Sequence, residues 1–152
     1  MIVVVLRHGE AGASEQGDRY RALTARGKVD ICHVINSRLD ELSSIKEVWV
    51  SPYVRAQETA DIVTSLLPDR KRVVYEELTP DGSPDALISA LENCDDDSAV
   101  LLVSHQPLVG RFADLICGTP RGYHAFDTAS LVAFDLPVSV AGAGTCLWAT
   151  HP

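Results

Sequence analysis

Two arginines and two histidines stand just beyond three apolar runs of this chain. Arg7 and His8 follow Ile2 to Leu6, Arg55 comes shortly after Lys46 to Val50 and the pair Ser51-Pro52, and His105 follows Ser98 to Val103. Open α/β sheets bind ligands outside the carboxyl ends of their strands, so residues just past such runs are the ones to examine. A neutral imidazole among cationic groups can attack phosphorus, and planar guanidinium groups match phosphoryl oxygens with paired hydrogen bonds. Arg55 is the telling member. In the first turn of a helix a cation faces the positive end of the helix dipole, an unfavourable placement unless an anion lies nearby. A second, protonated histidine would donate a further hydrogen bond. The arginines repel a divalent cation, so no metal site and no cofactor is assigned.

These residues meet only if the runs are neighbouring strands. Short β-branched apolar stretches alternate with segments of helical period, the pattern of helices covering a mainly parallel sheet. Ile2 to Leu6 has no polar position and is expected to lie centrally with both faces buried. Gly9 to Tyr20 reads as a loop. Thr24 caps a helix to about Leu42 with an apolar stripe of Ile31, Ile35, Leu39 and Leu42. Ser51-Pro52 reads as an N-cap with proline at the first helical position, opening a helix to about Leu67 that Pro68 stops. Arg72 to Tyr75 is a third strand, and Ser83-Pro84 opens a short helix. Pro107 opens another, which ends at Gly118 as its left-handed residue. The strands Ser130 to Leu136 and Cys146 to Thr150 flank Gly142-Ala143-Gly144, read as a tight turn of an edge hairpin. The expected class is a three-layer α/β/α fold, with a mixed, mostly parallel sheet and an antiparallel edge, as a single domain over residues 1–152.

Composition narrows the partners. The 152 residues carry 13 Lys+Arg against 21 Asp+Glu, a formal charge of −8, so no broad basic surface exists for nucleic acid or an anionic membrane. No apolar run approaches the roughly 20 residues of a membrane span. The stretch after Met1 has no basic lead-in of a secretory signal, and Cys32, Cys94, Cys117 and Cys146 form no Cys-x-x-Cys pair. They read as free thiols of a reducing, cytoplasmic compartment.

Four blocks carry a resemblance. VVVLRHGEAG is similar to the Arg-His-Gly signature of the histidine phosphatase (phosphoglycerate mutase-like) superfamily, and YRALTARG to its Leu-Thr-x-x-Gly helix start. VSPYVRAQETA resembles its Ser-x-x-x-Arg-x-x-x-Thr block, and LLVSHQPLVG the strand that delivers its second histidine. Within the superfamily, Ala11, the Glu77-Leu78-Thr79-Pro80 string and the Ser104 to Gly110 string are most similar to the small SixA-type phosphohistidine phosphatases. The resemblance implies that His8 is the nucleophile, that Arg7, Arg55 and His105 form its phosphate pocket, that Arg21 is an added phosphate contact, and that Glu77 holds the proton-donor position. Only the 27 residues 78–104 separate Glu77 from His105, which leaves no room for the helical lid subdomain of larger relatives.

The implied function is removal of phosphate from a histidine of a phosphorelay or phosphotransfer protein, through a covalent phosphohistidine intermediate on the enzyme. Two alternatives remain: a general small phosphomonoesterase of the same superfamily, and a catalytically idle phosphoprotein-binding module. His33, opposite the apolar stripe of its helix, is read as a surface histidine, and His124 and His151 have no motif around them. Neither the oligomeric state nor the phosphorylated partner is legible.

Overall fold

Successive residues of a strand face opposite sides of a sheet, so a strand without polar positions must be covered on both faces. The computed structural model, which describes residues 1–152, places β1 (Ile2–Arg7) accordingly. The other strands are β2 (Glu47–Val50), β3 (Lys71–Val74), β4 (Ala99–Ser104), β5 (Leu131–Asp135) and β6 (Thr145–Thr150), and the helices are α1 (Ala25–Asn36), α2 (Leu39–Leu42), α3 (Val54–Leu66), α4 (Pro84–Leu91) and α5 (Leu108–Cys117). All six strands form one sheet in the order β3-β2-β4-β1-β5-β6. The first four of that order run parallel, while β5 is antiparallel to β1 and β6 to β5.

Alternation along the inner strands builds two cores. Val4, Leu6, Val48, Val50, Leu101 and Val103 pack with Ile31, Val34 and Ile35 of α1 and Ala56, Ala60 and Val63 of α3. On the other face Val3, Val5, Trp49, Val100 and Leu102 pack with Leu87 and Leu91 of α4 and Phe112 and Ile116 of α5. Each large aliphatic or aromatic side chain buried in this way contributes about 1.5–3 kcal/mol. The layers are those expected, with the antiparallel edge at β5 and β6. No helix is long and apolar enough to cross a membrane, and all four cysteines are unpaired.

Three local expectations are corrected. The helix expected to run from Thr24 to Leu42 breaks after Asn36, where the Ser37 hydroxyl donates to the Val34 carbonyl at 2.7 Å. Arg38 leaves helical geometry at φ −131° and ψ 21°, with its Nε donating to Thr150 Oγ1 at 2.7 Å and its guanidinium over the Trp148 ring. Leu39 is consequently exposed, while Leu42 is buried. Second, α3 begins at Val54, with Tyr53 rather than Ser51 as its N-cap, because the Ser51 hydroxyl is engaged elsewhere. Third, the hairpin has no tight turn. Residues 136–144 make a wider connection that docks on α5, with Gly142 N–H donating to Leu115 O at 3.0 Å and Gly144 N–H to Ile116 O at 2.7 Å. Gly118 is left-handed, at φ 66°, as expected.

Candidate active site

Strand register brings the site together. Arg7 pairs with Ser104 across the parallel ladder of β1 and β4, so the next residues, His8 and His105, lie side by side with ring centroids 5.0 Å apart. Val50 pairs with Val103, which sets Ser51 at the same level on the far side of β4. After His8 the chain passes close to α1. A Cβ on Gly9 would meet the Gly27 carbonyl oxygen at 2.7 Å, and one on Gly27 would run into the Glu10 carbonyl oxygen. The two glycines let the loop after β1 press on the first turn of α1, where Thr24 Oγ1 accepts from Gly27 N–H at 3.0 Å. Thr59 ties the other side, accepting from Gly9 N–H at 3.2 Å and donating to the Arg55 carbonyl at 2.7 Å.

His8 is set up as a neutral base. Its Nδ1 lies 2.7 Å from the Gly9 carbonyl, an acceptor only, so Nδ1 carries the proton and Nε2 has a free lone pair. That lone pair accepts from Arg55 Nε at 3.2 Å. Burial, reinforced by the charges of Arg55, Arg7 and Arg21 and opposed by the Gly9 bond, lowers the pKa of His8 from 6.5 to about 4. The imidazole is uncharged at neutral pH, the form that can attack phosphorus.

His105 departs from expectation in its charge. Burial first, then its neighbours His8 and Arg55, lowers its pKa from 6.5 to about 2, so it too is neutral. Ser51 Oγ accepts from Tyr53 N–H at 3.2 Å and lies 2.7 Å from His105 Nε2; with the hydroxyl donating to Nε2, His105 carries its own proton on Nδ1 and is still a donor. That Nδ1 is buried with no protein partner, and so is Nε of Arg7. Arg7 is held from behind, its Nη1 donating to the Phe126 carbonyl at 2.6 Å. Tyr53 presents its ring edge to His105 and lies under the Arg55 guanidinium, 5.1 Å from its centroid.

Arg21 joins the cluster from the loop before α1, where its Nε donates to Gly12 O at 2.8 Å and its Nη1 to Asp18 Oδ1 at 3.2 Å. Glu77 stands apart. It is exposed, in a short turn at Glu76–Leu78 anchored by the Ser104 hydroxyl on the Leu78 carbonyl, and it makes no hydrogen bond or ion pair to Arg7, His8, Arg55 or His105. The carboxylate paired with Arg55 and Arg21 is instead Asp18, in a loop where no motif marks it. Asp18 accepts from Arg55 Nη2 at 3.2 Å, and its main-chain carbonyl accepts from Arg55 Nη1 at 2.7 Å. Burial acts to raise the pKa of this carboxyl, but the bonds from Arg21 and Arg55 outweigh it and hold the group below its usual range. Ser51, placed before proline like a helix cap, instead pairs with His105. A surface cleft of about 560 Å³ between the start of α4 and the end of α5 includes none of these residues.

Two neutral imidazoles beside three guanidinium groups at the carboxyl edge of a parallel sheet suit phosphoryl transfer through histidine. The chain belongs to the histidine phosphatase superfamily: the model of its branch 1 matches residues 3–78. It is 34% identical over 144 residues to a phosphohistidine phosphatase SixA homolog of Haemophilus influenzae, covering 87% of this chain and 88% of that one. It is 33% identical to phosphohistidine phosphatase SixA of Escherichia coli over 100% of this chain and 94% of the relative. A solved structure of the protein histidine phosphatase SixA complexed with tungstate is 31% identical, with a TM-score of 0.90 over 100% of this chain and 97% of the other. The fold is shared more widely, for instance at TM-score 0.75 and 21% identity with an α-ribazole-5′-P phosphatase structure.

Proposed function

We propose that this phosphatase removes the phosphoryl group from a phosphohistidine of a phosphorelay or phosphotransfer protein, in the cytoplasm, by way of a phosphorylated His8. The observation that carries this reading is the unprotonated His8 Nε2 facing Arg55 Nε at 3.2 Å. In the first step Nε2 attacks phosphorus and the P–N bond to the substrate imidazole breaks. As the Nε2 lone pair is consumed, Arg55 Nε–H loses its acceptor and turns to a phosphoryl oxygen. Arg7 Nε–H and His105 Nδ1–H, otherwise unpartnered, supply two further donors at the equatorial oxygens. The leaving imidazole takes its proton from water, since it titrates near neutral pH. In the second step water attacks the phosphorus of phosphorylated His8, the P–Nε2 bond breaks, inorganic phosphate departs and the water proton is lost to solvent. Guanidinium groups supply the positive charge throughout.

The test is a transfer experiment. A protein carrying 32P on histidine, mixed with this chain and quenched within single turnovers, is expected to leave an acid-labile label on a peptide containing His8. No label on wild type, or equal label on His8→Ala, would overturn the covalent route, and label arising only from alkyl phosphomonoesters would overturn the substrate class.

A further inference from the structure

We infer that Asp18 is a built-in competitor of the phosphoryl group, a carboxylate that occupies the donors of Arg55 and Arg21 and so limits how tightly the pocket holds inorganic phosphate. The inference rests on the phosphatase reading above and concerns its last step. Hydrolysis of phosphorylated His8 leaves a phosphate anion among Arg7, Arg55 and Arg21, and three cations around one anion favour retention over release. Asp18 supplies the opposing charge. Its Oδ2 takes Arg55 Nη2 and its Oδ1 takes Arg21 Nη1, each at 3.2 Å, while its main-chain oxygen takes Arg55 Nη1 at 2.7 Å.

The burial of the partners decides which group yields. The Arg55 side chain is 5% exposed and is fixed at its other end by Nε on His8. The Asp18 side chain is 58% exposed and can turn into water. A phosphate that takes the Nη2 donor of Arg55 therefore displaces the Asp18 carboxylate, and the carboxylate returns as phosphate leaves. The alternative, that Asp18 merely positions Arg55 for the anion, has the opposite sign. Loss of a positioning group weakens phosphate binding, whereas loss of a competitor strengthens it.

The experiment is titration of the whole protein with inorganic phosphate by calorimetry, for wild type, Asp18→Asn and Asp18→Ala. Both variants are expected to bind phosphate about tenfold more tightly, the scale of one charge-assisted hydrogen bond. In turnover assays, inhibition by inorganic phosphate is expected to strengthen by a similar factor, and where phosphate release limits turnover kcat and KM fall together. Unchanged or weaker phosphate binding in both variants would overturn the inference. The calorimetric arm needs no turnover, so it reports on Asp18 even if phosphohistidine proves to be the wrong substrate.

Discussion

Arg55 Nε lies 3.2 Å from His8 Nε2, the one ring nitrogen that the Gly9 carbonyl leaves without a proton. A single donor thus orients the attacking nitrogen and waits where a phosphoryl oxygen must arrive. The arrangement explains a cation at the second residue of α3. Its cost against the helix dipole is met by the Asp18 carboxylate and, in turnover, by the phosphoryl group. Thr59, one turn further along the helix, binds both the Arg55 carbonyl and Gly9 N–H, so the helix carrying the guanidinium and the loop carrying the nucleophile move as one piece.

Neutral burial of the imidazoles has a consequence for acid stability. In the unfolded chain His8 titrates near 6.5, in the folded protein near 4, so between these values the unfolded state binds more protons and stability falls as pH falls. His105, lowered to about 2, extends the loss below that window. His8→Ala is expected to abolish turnover while retaining the fold, and to lose less melting temperature than wild type between pH 7 and pH 4. A residual rate well above background, or parallel melting curves against pH, would contradict the assignment.

The glycine pair gives a stability test. Gly9→Ala places Cβ 2.7 Å from the Gly27 carbonyl oxygen, and Gly27→Ala drives it into the Glu10 carbonyl, both of them backbone atoms that yield only by moving the loop from α1. Each is expected to cost about 1–3 kcal/mol, as overpacking does, and to lower activity by displacing His8. Gly12→Ala meets nothing within 4 Å and serves as the control, expected near wild type in denaturant melts.

The residues that stood directly after apolar runs were legible because strand ends and the parallel register are set by short-range pattern. Arg7, His8, Arg55 and His105 converge for that reason. What escaped depends on long-range partners. Ser51 followed by proline has every mark of a helix cap, but a hydroxyl 54 residues before His105 finds it as a neighbour only once β2 and β4 pair. Asp18 lies in a loop without periodicity, and nothing local distinguishes it from Glu10 or Glu15. The break at Ser37 similarly required Arg38 to reach Thr150 on β6, a contact invisible to a helical stripe that continues through Leu42.

Asp114 connects the far side of the molecule to Arg7. Buried on α5, it accepts from Gly122 N–H at 2.7 Å, His124 N–H at 2.9 Å, Thr119 Oγ1 at 3.0 Å and His124 Nδ1 at 2.8 Å, which organises residues 119–124 just before Phe126. The Phe126 carbonyl in turn holds Arg7 Nη1. Asp114→Ala leaves the part-buried N–H groups of Gly122 and His124 without their acceptor, at about 1–3 kcal/mol together. A lowered melting temperature together with weaker phosphate binding is expected, opposite in sign to Asp18→Asn. Phosphate affinity equal to wild type would show that the loop does not hold Arg7.

Glu77 separates the substrate classes. Departure of an alkyl alcohol from phosphorus needs a proton on the leaving oxygen, a contribution of typically ~10²–10⁴-fold from a positioned donor. An imidazole leaving group can be protonated by solvent near neutral pH and needs no such donor. Glu77 is exposed and is tied by hydrogen bond or ion pair to none of the pocket side chains, the situation of a residue that phosphohistidine turnover can do without. Glu77→Gln is therefore expected to slow phosphorylation of His8 by a phosphohistidine protein only slightly in single turnovers. With an alkyl phosphomonoester the same variant is expected to lose most of whatever rate the wild type shows. Equal and large losses on both substrates would point to a general phosphomonoesterase, with Glu77 as its acid, and would count against phosphohistidine as the natural substrate.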